Sequence, residues 1–563
     1  MVKTLILFFI IISQVTIAQN PYPQDYFRNP LDVPLVLAGT FAELRSNHFH
    51  SGLDIKTQHK EGLKVFAAAQ GYVSRIKISH WGYGKALYIT HPNGYTTVYA
   101  HLQKFSPKIE RYIKKLQYKK ESFEIEVFPT ILELLIDTDE VVAYSGNTGG
   151  SSAPHLHFEI RDKKERPINP MLFGIDIKDT RPPTIISVYG YPVGKDSHIN
   201  QTNETVKLRL VPQKNGDYTV ENIKAYGKIG FGINTYDRQD FAANKNGVTK
   251  IQSFYNGNKN FEIDFKRFSF SETKHLNRLI DYAYFKKHKS RIQKLFIQSN
   301  NPLSLYNDVV DNGYITIEDS TASVYKVKIN DYKGNSTWLT IPIIGSKSDS
   351  ITRKSIETTK HYIYADQATN LEEGNISIYI PKNTFYDDFY INFSAENDTL
   401  ILHNASVPTQ KYMTINFDIS NYKKTDKEKL FIARMLGYKN KITYSHTTKK
   451  GDIITSRTKT LGTYTLASDT KSPEIKPLNF QNGKWLSKYR YLKLKIKDDI
   501  SGIKNYRATV NGKWILMEYE PKKNILTYDF NDNVITDTKN NLKIIVTDNV
   551  GNSSTFEAIF YRK

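Results

Sequence analysis

The stretch SGNTGGSSAPHLHFEIR, residues 145–161, decides how the N-terminal part of this chain is read. Its second half alternates in the manner of a β-strand, so His155 and His157 face one way. Its first half is built of small residues, and Gly149 and Gly150 give a sharp loop the freedom to approach a cleft. A strand that presents two imidazoles beside such a loop raises the question of what else faces the same point.

Fourteen histidines are present, and eight of them precede residue 158. In NHFHSGLDI, residues 47–55, His50 and Asp54 are four apart, an even separation that puts both on one side of an extended segment. In YTTVYAHL, residues 95–102, His101 ends the second strand of a hairpin turned at Asn93-Gly94. Two imidazoles and a carboxylate form a ligand set for catalytic zinc, with the remaining position open to water. Four or five convergent groups leave one or two histidines for proton transfer. His48, two residues from His50, competes for the ligand position, and His91 before Pro92 reads as a turn residue.

In order along the chain stand HSGLDIKTQHKEGLKVFAAAQGYVSRI, then GYGKALYITHPNGYTTVYAHL, then SGNTGGSSAPHLHFEIRD. This succession resembles the lysostaphin/LytM-type zinc endopeptidases over roughly residues 40–172. The resemblance implies an antiparallel β peptidase domain with one zinc ion held by His50, Asp54 and His157. It implies that His101 and His155 are the non-ligand catalytic pair. It further implies peptidoglycan as substrate, with the D-Ala–diaminopimelate cross-link as the bond cut. Ala153, where the family usually has glycine, and Asp139-Glu140, where it commonly has Gly-Asp or Gly-Glu, depart from the pattern at turns. Residues 103–138 form an insertion, with a helix expected at SPKIERYIKKLQ, residues 106–117. There Ser106 can cap, Pro107 suits the first turn, and Ile109, Tyr112, Ile113 and Leu116 share a face. The helix is expected to border or cover the cleft. A non-catalytic wall-binding module that activates other hydrolases, and a protease for proteins or glycine-rich bridges, are the competing readings.

The start, MVKTLILFFIIISQVTIAQN, reads as a signal peptide over residues 1–18, with Lys3, an apolar run from Leu5 to Ile12, and small Thr16 and Ala18 before the cut. The expected location is therefore periplasmic or secreted, with no integral membrane span after cleavage. The chain has no cysteine, which excludes a thiol nucleophile and a lipidated cysteine. Its net charge of +21 attracts polyanions, yet the lysines are scattered and no nucleic-acid motif occurs. Wall polymer or a membrane surface fits this better than nucleic acid, and a plain solvated basic surface accounts for it equally.

Beyond the peptidase segment (19–178), DTRPPTI at 179–185 resembles DTKSPEI at 469–475, and DYKGNSTW at 331–338 resembles DNVGNSST at 548–555. Each pair brackets alternating, turn-rich sequence. The expectation is a mainly β chain with immunoglobulin-like β-sandwich modules at 179–346 and 469–563 and a further sandwich at 347–468. These modules are candidates for contact with envelope proteins.

Overall fold

The computed structural model describes residues 20–437 and 439–563; the signal-peptide reading falls outside the described residues. The chain is mainly β, as its alternating segments imply. In the N-terminal domain, eleven strands and one helix matter for the site. They are β1 (Leu37–Gly39), β2 (Leu53–Lys56), β3 (Lys64–Phe66), β4 (Gly71–Ile78), β5 (Lys85–Thr90), β6 (Thr96–Ala100), β7 (Lys104–Phe105), α1 (Pro107–Lys120), β8 (Ile125–Val127), β9 (Leu135–Ile136), β10 (Val141–Tyr144) and β11 (His155–Arg161).

The main sheet runs β1-β2-β11-β6-β5-β4-β8, antiparallel throughout, while β3, β10 and β7 form a smaller one. Strand β11 therefore sits between β2 and β6. The register places His157 opposite Asp54 on one side and opposite Ala100, the neighbour of His101, on the other. The even positions Leu156, Phe158 and Ile160 join Leu53, Ile55 and Tyr99 in the core. The other face of β11 is polar in sequence, but it too is covered, because Glu159 and Arg161 are buried.

Helix α1 forms where its apolar spacing implies, with Ile109 and Ile113 buried and Tyr112 and Leu116 packed at the edge. Ser106 is its N-cap in backbone conformation, but its hydroxyl makes no capping bond; Glu110 instead folds back and accepts from the Phe105 amide at 3.0 Å. The exposed side of the helix meets the C-terminal module. Tyr118 packs edge-on against Trp514 at 5.2 Å between centroids and donates to Asp532 at 2.8 Å; Arg507 pairs with Glu121 at 2.6 Å.

The apolar core of the N-terminal domain continues past residue 178. Phe41 and Phe49 pack on Phe268, at 5.2 and 5.4 Å, and Phe49 also meets Phe265. The long strands Thr184–Pro192 and Ile223–Tyr236 and their partners form the next sheet on that shared core. Residues 363–466 carry a separate core between two five-stranded sheets. Residues 480–560 carry a third, between a four-stranded and a five-stranded sheet. No helix of the described residues is long and apolar enough to cross a membrane.

Candidate metal centre

Three elements deliver the expected ligand residues to one point. Asp54 rises from β2 and His157 from β11, side by side through their register, and His50 comes from the coil that leads into β2. His50 Nε2 and His157 Nδ1 each lie 2.9 Å from Asp54 Oδ1, and 3.1 Å from one another.

The outer bonds of the two imidazoles fix which nitrogens face inward. His50 Nδ1 lies 2.6 Å from the Thr40 carbonyl, which can only accept, so that nitrogen donates. His157 Nε2 donates to Glu159 Oε1 at 2.8 Å. The far oxygen of Asp54 accepts from Arg45 at 3.0 Å. Two imidazole nitrogens and a carboxylate oxygen are thereby turned on one point, a donor set suited to zinc. A tetrahedral ion with bonds of about 2.0–2.1 Å separates its ligand atoms by about 3.3 Å, within a few tenths of what these residues hold. The electrostatics ask for positive charge at the same point. Burial alone would make His157 easier to deprotonate, but Asp54 and Glu159 outweigh it and hold the ring protonated up to about 9. Burial likewise opposes ionisation of Asp54, and the imidazoles of His50, His155 and His157 overcome it to hold the carboxyl well below its usual range. A metal ion would take over the role of that proton.

The expected non-ligand pair lies beside this triad. The rings of His101 and His155 are 4.8 Å apart between centroids, and His101 is 5.9 Å from His157. His101 follows β6 in a left-handed conformation (φ 58°) and donates Nδ1–H to the Thr148 carbonyl at 2.8 Å. His155 donates Nδ1–H to the Ala153 carbonyl at 2.9 Å, and its Nε2 stands 3.4 Å from Asp54 Oδ1. Burial, then the neighbouring His157 and His155, push the His101 imidazole down to about 3.

The loop that holds His101 is itself held by a backbone crossing. Gly149 adopts φ 72°, and a Cβ there would meet Gly84 N at 2.3 Å and Gly82 O at 2.4 Å. Gly150, by contrast, is not in the left-handed region; its amide donates to the Gly82 carbonyl at 2.8 Å.

His48 does not join the group; it is exposed and bonds Asn47 at 2.7 Å. His91 is buried at the β5–β6 turn, between the Gln70 carbonyl and the Thr97 hydroxyl. The sequence reading passed over Glu159 and Tyr83. Glu159 is fully buried and accepts from His157, from Ser51 Oγ at 2.6 Å, from Arg161 Nε at 2.6 Å and from the Tyr83 hydroxyl. Its position two residues after His157 on an alternating strand was the available signal.

Residues 48–118 match Peptidase family M23, and residues 360–469 match the Zu5-like domain. The N-terminal domain is a LytM-type metallopeptidase domain. A DD-carboxypeptidase/endopeptidase Mpg of Neisseria meningitidis is 32% identical over 128 residues, 23% of this chain and 23% of that protein. An uncharacterized metalloprotease of Haemophilus influenzae is 31% identical over 122 residues, 22% of this chain and 20% of its own length. The chain thus spans under a quarter of these curated relatives. Similar solved structures include the catalytic domain of lysostaphin from Staphylococcus simulans (21% identity, 27% of this chain, 91% of that chain, TM-score 0.16). A zinc-containing peptidase from Vibrio cholerae is 23% identical over 27% of this chain and 41% of that one, with a TM-score of 0.20.

Proposed function

We propose that this chain is an exported zinc metallo-endopeptidase that hydrolyses peptide cross-links of peptidoglycan, at the bond between D-alanine and diaminopimelate. The observation that carries this reading is the convergence of His50 Nε2, Asp54 Oδ1 and His157 Nδ1 within 3.1 Å of one another. The similarity to DD-carboxypeptidase/endopeptidase Mpg supports the choice of substrate. Residues 1–18 direct export, residues 19–178 carry the chemistry, and the β modules at 179–346, 347–468 and 469–563 place it on the wall.

His50, Asp54 and His157 would hold the ion, which when bound would supply Lewis acidity toward the attacking water and the scissile carbonyl. The rest falls to the chain's own side chains. With Nδ1–H of His101 committed to Thr148, its Nε2 keeps a free lone pair, and the low proton affinity of the buried ring keeps that nitrogen available as an acceptor. His155, fixed by Ala153, presents Nε2 to the same space, so one ring can take the proton of the water while the other stabilises the oxyanion or protonates the leaving amine. Glu159 orients His157 through its Nε2–H, which keeps Nδ1 turned toward Asp54 and His50.

Digestion of purified sacculi with the zinc-loaded enzyme, beside a His50→Ala control, tests this reading. New D-alanine carboxyl termini and free diaminopimelate amines by mass spectrometry are the expected products of the wild type alone. Cleavage of pentaglycine or casein with intact muropeptides would overturn the assignment of substrate.

A further inference from the structure

The matched motifs that bracket residues 179–346 and 469–563 build one arrangement twice. In the first copy, Asp179 of DTRPPTI and Asp331 of DYKGNSTW meet Asp237, which follows the strand Ile223–Tyr236; their ligand atoms lie within 4.8 Å of one another. In the second, Asp469 of DTKSPEI and Asp548 of DNVGNSST meet Asp498, which follows the strand Tyr491–Lys497, within the same limit. The supporting bonds repeat as well. Asn335 donates its side-chain amide to the Asp179 carbonyl at 3.2 Å and to Asp331 at 2.7 Å. Asn552 donates likewise to the Asp469 carbonyl at 2.9 Å and to Asp548 at 2.6 Å.

These carboxylates lack the counter-charge that their burial demands. Asp237 is 2% exposed, and Asp469 and Asp548 are fully buried. Arg181 acts on Asp179 through its charge, but its ion pair at 3.8 Å is with Asp240, and Lys497 pairs with Asp499 rather than with Asp498, in a chain whose net charge is +21. Uncompensated like charges out of water are costly. Two buried oxygen atoms at these places also receive no hydrogen bond from an amide, hydroxyl or cationic group. Oδ1 of Asp237 receives none: its carboxyl faces Asp179 and Asp331 and bonds the Asp179 carboxyl through a proton that one of the two must carry. The hydroxyl of Ser501, a residue whose amide donates to Asp469 at 3.0 Å, receives none either. Burial, then the charges of Asp179 and Asp331, raise Asp237 to about 8. Buried oxygen donors left open among three converging carboxylates are what a hard cation fills.

We propose that each aspartate cluster is a calcium site. All-oxygen donors suit calcium, whereas the imidazole-containing centre of the peptidase domain suits zinc. The two sites stand at chain junctions. Asp179 leads out of the peptidase domain, and Asp469 leads from the segment 360–469 into the C-terminal module. Each ion would tie a linker to two strand ends and fix how successive units meet.

Calcium chloride alone, titrated calorimetrically into the full-length, cation-stripped chain at saturating zinc, tests the proposal. The expected stoichiometry is one calcium per cluster. Asp237→Asn and Asp498→Asn should each abolish one site, and the double variant both. Melting curves supply a second check that a purely structural role would not reproduce. Without calcium, and at a pH above about 8 where the carboxyls that burial keeps protonated are ionised, each variant should melt above the wild type, because repulsion is relieved; with millimolar calcium at the same pH the order should reverse. A folded wild-type chain that binds no calcium at about 10 mM, well above the affinity range of extracellular modules, overturns the proposal. So does unchanged stoichiometry in the variants, or a melting order indifferent to calcium.

Discussion

At the scale of single residues, the sequence names the five side chains proposed for the site and does not name what supports them. His50, Asp54, His101, His155 and His157 announce themselves because imidazoles are scarce and these fall in strand-like or turn-bounded stretches. Glu159 escapes the same reading, since a carboxylate on an alternating strand looks solvent-facing. Only the arrival of Ser51 and Tyr83 from distant segments buries it against His157. Its burial disfavours the charged form, yet Arg161 and His157 hold it ionised, below the usual carboxylate range. Glu159→Gln removes the charge that orients His157 and leaves Arg161 in a buried site with Glu165 as its remaining carboxylate partner. Substitutions of this outer kind weaken metal binding by roughly 10–100-fold. We expect zinc affinity, measured by competition with a chromophoric chelator, to fall within that range, together with a lower melting temperature. An unchanged affinity would show that Thr40 and Asp54 suffice to set the imidazoles.

At the scale of elements, the alternation of β11 and the Asn93-Gly94 hairpin were correctly implied by sequence. So was helix α1, because local periodicity and turn chemistry specify such elements without help from the rest of the fold. What periodicity could not give was the partner of each face. The polar side of β11 is buried, and the exposed face of α1 meets the C-terminal module through Tyr118 and Glu121. The two glycines of the loop that precedes β11 looked interchangeable, and they are not. At Gly149 a methyl group would collide with backbone at 2.3 Å, whereas at Gly150 the nearest atom stands at 3.4 Å. Gly149→Ala should therefore displace Thr148, whose carbonyl positions His101. The expected result is a fall in kcat of tenfold or more, on the order of the cost of one misplaced proton-transfer group, with zinc content intact. Gly150→Ala should remain close to wild type. Equal kinetics for the two variants would mean that the crossing does not position His101.

At the scale of the whole molecule, the C-terminal module folds back on the peptidase domain, a contact between residues 433 positions apart that no local signal encodes. A cavity of about 790 Å³ lies between the two, bordered by Thr148 and Gly149 of the loop that precedes β11. Lys522 donates to the carbonyls of Asn147 and Ser151 on that same loop. At the cavity wall Lys85, with 6% of its side chain exposed, pairs with Glu518 at 2.7 Å. Burial disfavours the charged lysine, but Glu518 more than restores it and raises its pKa. Because Glu518 keeps 45% of its side-chain surface in water, the pair falls between an exposed pair, worth about 1 kcal/mol or less, and a buried one, whose breakage costs about 3–5 kcal/mol. Lys85 lies in β5 and cannot leave, so Glu518→Gln leaves a charged ammonium under the module with the Gln103 carbonyl as acceptor and Glu110 as the remaining carboxylate that acts on it. Release of the module is the cheaper response, since it returns Lys85 to water. Small-angle scattering should then show a larger radius of gyration for Glu518→Gln than for the wild type, and the linker around Asp469 should become more open to protease. Zinc content should not change, because no ligand residue touches this interface. An unaltered radius would mean that the remaining contacts at Asp532, Arg507 and Lys522 hold the module without the Lys85 pair, and that its position over the loop that precedes β11 is fixed rather than adjustable.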